Sequence, residues 1–200
     1  MIGVAAASAP KEATLLAGIA GLVAGALSMA AGEYVSVSSQ RDAEEADVAR
    51  ERHELLSDPK GELDELAAIY RGRGLDAELA MKVAAQLSAA ENQLAVHMRD
   101  ELGLDEATMA RPLQAALVSA ASFAGLALLP VLALMVAPSS VRVPAIALVS
   151  LVSLGLLGAL GGRLGGAPVG RASLRVLLGG GVAMATTALI GKLLGAAGIG

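Results

Sequence analysis

Two pairs of glutamates carry the first chemical signal: Glu51 with Glu54, and Glu62 with Glu65, each pair three residues apart. On an α-helix, residues i and i+3 share a face, so each pair directs two carboxylates the same way. Between the pairs, Ser57-Asp58-Pro59 predicts a helix stop and restart, with Asp58 as the cap and Pro59 at the first helical position. Two helices joined by so tight a turn can aim four carboxylates at one another. Alone they repel; a divalent cation relieves the repulsion. Farther along, Met98 and Glu101 are again three apart, with His97 beside them. Carboxylates with a thioether or an imidazole, and no cysteine, suit borderline ions such as Mn²⁺ and Fe²⁺. Pure Ca²⁺ or Mg²⁺ sites draw on oxygen donors and have no use for Met. The plainer alternative is a solvated acidic face paired with Arg50, Arg52 and Lys60, with His53 and His97 on the surface and Met98 and Met81 as packing.

A second constellation lies upstream. Met29 and Glu33 stand one helical turn apart in SMAAGEY, at the end of an apolar run. An acid at the edge of hydrocarbon is unfavourable by about 2.5–3.5 kcal/mol on insertion scales and commonly marks an ion or proton path. A thioether one turn deeper suits a transition-metal way station. The alternative is an interfacial Glu33 with its head in water beside Tyr34.

The elements that must position these residues follow from the distribution of charge. The chain has 200 residues, 55% apolar and 17% charged, with a net charge of −4, 2% aromatics and no cysteine. That excludes a disulfide scaffold, a disordered chain and a nucleic-acid binder with a basic face. Residues 38–111 hold 17 of the 19 acids and nine of the 15 Lys and Arg, a net charge of −8. An acidic, water-soluble insert thus separates strongly apolar flanks. Uncharged runs occupy residues 13–32, 112–141, 143–162 and 176–191, the last extended if Arg175 and Lys192 snorkel. About 20 apolar residues in a helix cross a bilayer core.

The sequence therefore predicts an all-α integral membrane protein, multi-pass, with four complete transmembrane helices. They are assigned to residues 13–38, continuing into the cytosol, and to residues 112–137, 142–162 and 174–194. Residues 39–106 form a cytosolic acidic three-helix metal-binding insert, its helices running from Tyr34 to Asp58, from Pro59 to about Tyr70, and from the cap Asp76 to Leu102, where Gly103 stops the last. An insert this small has little core of its own and is expected to lean on a partner copy. Residues 1–9 (MIGVAAASA) read as the remnant of a first transmembrane helix, too short and too poor in basic residues for a signal peptide. Arg41, Arg50, Arg52, Arg99, Arg111, Arg163, Arg171 and Arg175 flank the spans on one side, against Lys11, Arg142 and Lys192 on the other. This places the insert in the cytosol, in a cell inner or plasma membrane.

The pieces AGALSMAAGEYVSVSSQRD, ERHELLSDPKGELDEL, HMRDELGL and SFAGLALLP resemble the vacuolar iron transporter family over residues 13–200. The resemblance implies five spans, a cytosolic three-helix metal-binding insert, a homodimer with the metal path at its interface, and proton-coupled export of Fe²⁺ and Mn²⁺. It further implies that Glu51, Glu54, Glu62 and Glu65 are the insert's glutamate ligands, and that Met98 and Glu101 are those of its third helix. His97 falls where the family commonly has a second Met. Met29 and Glu33 match the second-span motif. The acidic DG-type motif near the start of the family's first span has no counterpart here.

The function expected is transport of divalent manganese or iron out of the cytosol. In that role the insert captures the ion, Met29 and Glu33 pass it across, and Glu33 exchanges protons. The rival is a membrane-anchored divalent-metal buffer or sensor that does not transport, and a third reading is a membrane protein whose acidic insert docks a basic partner. No fixed cofactor and no nucleic acid are expected. The absence of a nucleophile–base pair or phosphate loop argues against an enzyme.

Overall fold

The computed structural model describes residues 1–89, 93–105 and 107–197, and every regular element among them is helical. The order is α1 (Ile2–Ala6), α2 (Lys11–Ser57), α3 (Pro59–Gly72), α4 (Ala77–Ser88), α5 (Gln93–Asp100), α6 (Pro112–Val136), a 3₁₀ turn (Ser139–Val141), α7 (Arg142–Leu164) and α8 (Val169–Ala196). Contacts divide the chain into a unit of Met1–Ala31 with Ala116–Gly200, and a second unit of Gly32–Ala115.

Four helices, α2, α6, α7 and α8, are long and apolar enough to cross a membrane. In the first unit, Leu148, Leu156, Leu178 and Leu189 are all more than half exposed. So much outward-facing leucine is stable only against lipid or another apolar partner. Inside the unit the helices touch through small residues. A Cβ on Gly158 would lie 2.7 Å from Ser173 Cα, and one on Gly162 would lie 2.8 Å from Ala172 Cβ. The α7 and α8 backbones can approach that closely only with no side chain between them. Ser173 Oγ donates to Gly155 O across the pair at 3.2 Å. The short α1 docks on α8 by the same means, since a Cβ on Gly191 would collide with the carbonyl of Gly3. Lys11 Nζ donates to Met135 O at 2.6 Å, satisfying one of the free carbonyls in the last turn of α6.

The second unit begins within α2, a single 47-residue helix about 70 Å long at 1.5 Å per residue. It ends where expected: Asp58 accepts from Gly61 N at 3.0 Å, and Pro59 opens α3. Asp76 caps α4 by accepting from Leu79 N at 2.9 Å, after a turn in which Gly74 takes φ +101°. The third insert helix, expected unbroken from Asp76 to Leu102, ends first at Ser88, with Ala89 in a turn, and helix is described again as α5 over Gln93–Asp100. Residues 90–92 of that expected helix, and Glu106 of the expected insert, lie outside the described residues. Packing accounts for the division. Leu66, Ala67, Ala84 and Val96 form one buried cluster. On a continuous helix Val96 would point about 120° away from Ala84. Ending α4 early lets both residues meet α3. Gly103, at φ +67°, follows the end of α5, and Leu104 N reaches back to Met98 O at 2.7 Å.

The α7–α8 contact makes a paired prediction. Gly158→Val, which forces a branched side chain into the Ser173 backbone, should destabilise the detergent-solubilised protein by about 1–3 kcal/mol. Gly161→Ala, with nothing within 4 Å of the new Cβ, should not lower the thermal midpoint. Thermal unfolding followed by helical circular dichroism checks both.

Candidate metal centre

The insert's charged side chains converge where α2, α3 and α5 meet. Glu51 comes from α2, Glu62 from α3, and His97 and Glu101 from one face of α5. One donor atom from each of the four lies within 4.8 Å of all the others. His97 is fully buried at 0% exposed, Glu51 is 2% exposed and Glu62 7%. His97 Nδ1 lies 2.9 Å from Glu51 Oε1, 3.5 Å from Glu101 Oε2 and 3.6 Å from Glu62 Oε2. These three oxygens and both ring nitrogens of His97 have no hydrogen-bond partner among the described residues.

Position along each helix decides which of the expected residues enter. Three residues advance a helix by about 300°, so an i, i+3 pair spreads over about 60° of its face. Glu51 and Glu62 take the inward half of that arc. Glu54 is half-buried and Glu65 exposed, both near enough for their charges to act on the buried carboxyls. On α5 the i, i+4 relation of His97 to Glu101 brings those two together. Met98, turned about 100° from His97, is buried on the wall of a separate cavity of about 230 Å³, shared with Arg41, Glu45, Arg52 and Met109. The sequence argument paired Met98 with Glu101 and gave His97 a lesser place. The His97–Glu101 spacing of four was the available signal for the arrangement observed.

A second hub holds α5 in register with α3. Tyr70 OH donates to Asp100 Oδ2 at 2.7 Å, and Arg73 donates to Asp100 Oδ1 at 2.9 Å and to its carbonyl at 3.2 Å. Arg99 reaches Oδ2 at 3.0 Å, and the Arg73 guanidinium lies 5.1 Å from the centre of the Tyr70 ring. Burial alone would raise the Asp100 carboxyl. Hydrogen bonds from Arg99, Tyr70 and Arg73 outweigh it and hold the group well below the usual carboxylate range. Asp100 therefore stays charged and fixes the helix one residue before Glu101. Nothing in the sequence spacing singled out this hub, because Tyr70 and Asp100 are 30 residues apart.

The electrostatics at the cluster run the other way. Burial first, then the charges of Glu101 and Glu62, push the Glu51 carboxyl up to about 7. Burial and the neighbouring Glu101 and Glu65 raise Glu62 as well. Such a group of donors holds either protons or a cation.

In the other unit, Met29 sits on a cavity of about 580 Å³ with Ser119, Ser122, Ser150, Ser153 and Met184. Met184 and these serines were not picked out from the sequence. Glu33 is exposed on α2, one turn farther along the helix from Met29.

A family model described as the VIT family matches residues 1–192. The chain belongs to the VIT family. It is 44% identical over 189 residues to a vacuolar iron transporter of Acanthamoeba castellanii (strain ATCC 30010 / Neff), covering 94% of this chain and 72% of that protein. It is 36% identical over 200 residues to vacuolar iron transporter homolog 1 of Oryza sativa subsp. japonica, covering 100% of this chain and 68% of the relative. Homolog 2 of Arabidopsis thaliana is 32% identical over 200 residues, covering 100% and 77%. With four helices long and apolar enough to span a bilayer, this VIT-family chain is an integral membrane protein.

The raised Glu51 carboxyl sets a pH dependence with a definite sign. In the unfolded chain it titrates near 4.5 and in the folded insert near 7. The folded state therefore binds the extra proton between those values, and Glu51 adds stability below 4.5 that is lost as pH rises through 7. The metal-free protein should melt at a higher temperature at pH 6 than at pH 8. Metal affinity, which needs the ionised carboxylate, should weaken by up to about tenfold per unit below pH 7. Glu51→Gln should flatten the first trend, as seen by circular dichroism, and lower affinity at pH 8, as seen by calorimetry.

Proposed function

We propose that this VIT-family chain carries divalent iron or manganese out of the cytosol as a homodimer, with its insert acting as the capture site. Glu51, Glu62, His97 and Glu101 bind the ion, while Glu54 and Glu65 at the rim draw cations toward it. Met29 and Glu33, nearer the N-terminus of the same helix, form the next station, and Glu33 exchanges a proton for the departing ion. The observation that carries the proposal is the convergence of four donors within 4.8 Å on atoms that hydrogen-bond to nothing else among the described residues. Buried charge left in that condition is strongly unfavourable, and a dication offsets two of the three carboxylates at once. The relatives named vacuolar iron transporters support the class of cargo. The arginines flanking the apolar runs support a cytosolic insert.

Vesicles containing the purified protein test the reading directly. Wild-type vesicles should move Fe²⁺ or Mn²⁺ down a gradient of metal and against one of protons. The double substitution Glu51→Gln with Glu62→Gln should reduce flux at low micromolar metal by about tenfold or more, an effect of the size seen on removing ligands or their supports. Undiminished flux in the double variant would remove the insert from the capture role.

A further inference from the structure

The position of His97 indicates which ions the insert prefers, an inference that rests on the capture role given above. Its ring is wholly buried, and its Nδ1 faces one oxygen from each of three carboxylates, at 2.9, 3.5 and 3.6 Å. None of these four atoms has a hydrogen-bond partner among the described residues. The 2.9 Å approach to Glu51 is an ion pair only when the imidazole carries a proton; with the ring neutral, both atoms keep lone pairs free for a cation. A protonated imidazole would balance one of the three carboxylates. A dication beside a neutral imidazole balances two and uses all four lone pairs.

Size and donor number narrow the choice of ion. Zinc-like ions bind nitrogen and oxygen at about 2.0–2.2 Å, which sets neighbouring donors of a tetrahedron about 3.3–3.5 Å apart. The three separations from Nδ1 bracket that edge. Ca²⁺ takes about six to eight oxygens at about 2.3–2.6 Å, more than this buried set supplies. Mn²⁺ favours oxygen-rich octahedral surroundings, whereas imidazole favours ions later in the first transition row. Met98 lines a different cavity.

We propose that His97 makes the insert's centre a single-ion site of one imidazole nitrogen and three carboxylate oxygens, selective for Fe²⁺, Co²⁺ and Zn²⁺ over Mn²⁺. The full chain, purified in detergent, is titrated with Co²⁺, followed by competition between Zn²⁺ and Mn²⁺. The expected result is one Co²⁺ per chain, with the intense visible absorption of four-coordinate cobalt and a preference for Zn²⁺ over Mn²⁺ on the order of a hundredfold. His97→Gln should lower that preference by about tenfold or more, abolish the intense band and retain Mn²⁺ binding. His53→Gln removes the only other histidine, an exposed one, so His97 becomes the sole imidazole. Pulsed electron paramagnetic resonance of that variant loaded with Cu²⁺ should show imidazole nitrogen coupling, whether or not His97→Gln folds. A pale six-coordinate cobalt spectrum, no nitrogen coupling, or an unchanged preference in a folded His97→Gln protein would overturn the role of His97 and leave the capture role standing. Failure of the wild type to bind any of the ions, or full binding by the Glu51→Gln, Glu62→Gln double variant, would overturn the capture role itself.

Discussion

Three carboxylates held against a buried imidazole form the constraint around which the insert is organised. Bringing Glu51, Glu62 and Glu101 together out of water opposes folding twice, through lost hydration and through like-charge repulsion. The one cationic group close to those atoms among the described residues is the His97 ring, and it can carry a single proton for three carboxylates. The surrounding structure must hold the arrangement by other means. Asp58 caps α3 with Pro59 at its first position, which fixes the angle between Glu51 and Glu62. Tyr70, Arg73 and Arg99 clamp Asp100, which sets the rotation of α5 and hence the direction of His97 and Glu101.

These two clusters divide the labour through opposite electrostatics. Asp100 is surrounded by donors and stays ionised, so its grip does not loosen near neutral pH. Glu51 is surrounded by acceptors and exchanges its proton in that range. The insert thus sets a fixed charge beside a group that responds to pH. The small core of Leu66, Ala67, Ala84 and Val96 supplies the rest of the stiffness.

Much of this was legible because the signals were local. Uncharged runs of 16 to 30 residues announced the four long apolar helices, the shortest with Arg175 and Lys192 at its ends, and the Asp58-Pro59 and Asp76 caps announced the starts of α3 and α4. Spacing of three placed Glu51 and Glu62 on faces that could meet. It did not reveal that Glu54 and Glu65 would remain at the rim, since an arc of about 60° is narrow in sequence and wide at a metal ion. Spacing also did not show that His97 faces the three carboxylates while Met98 lines another cavity, because the direction of α5 depends on Tyr70 meeting Asp100 at long range. The break after Ser88 was hidden for a related reason. Each side of it has good helix-forming residues, and only the need to bring Val96 beside Ala84 in the core argues against continuity. The family match over residues 1–192 agrees with the resemblance read from the motifs, and it does so independently of these rotational details.

The glycine contact between α1 and α8 has a consequence for how the chain is made. Gly3 and Gly191 are 188 residues apart in the sequence, yet the two backbones pack with no side chain between them. The α7–α8 pair, joined by a short turn, can form as a local hairpin while synthesis continues. Helix α1 cannot reach its seat until α8 has been made. Until then its small apolar face waits without that partner, so this contact forms after the α7–α8 hairpin can.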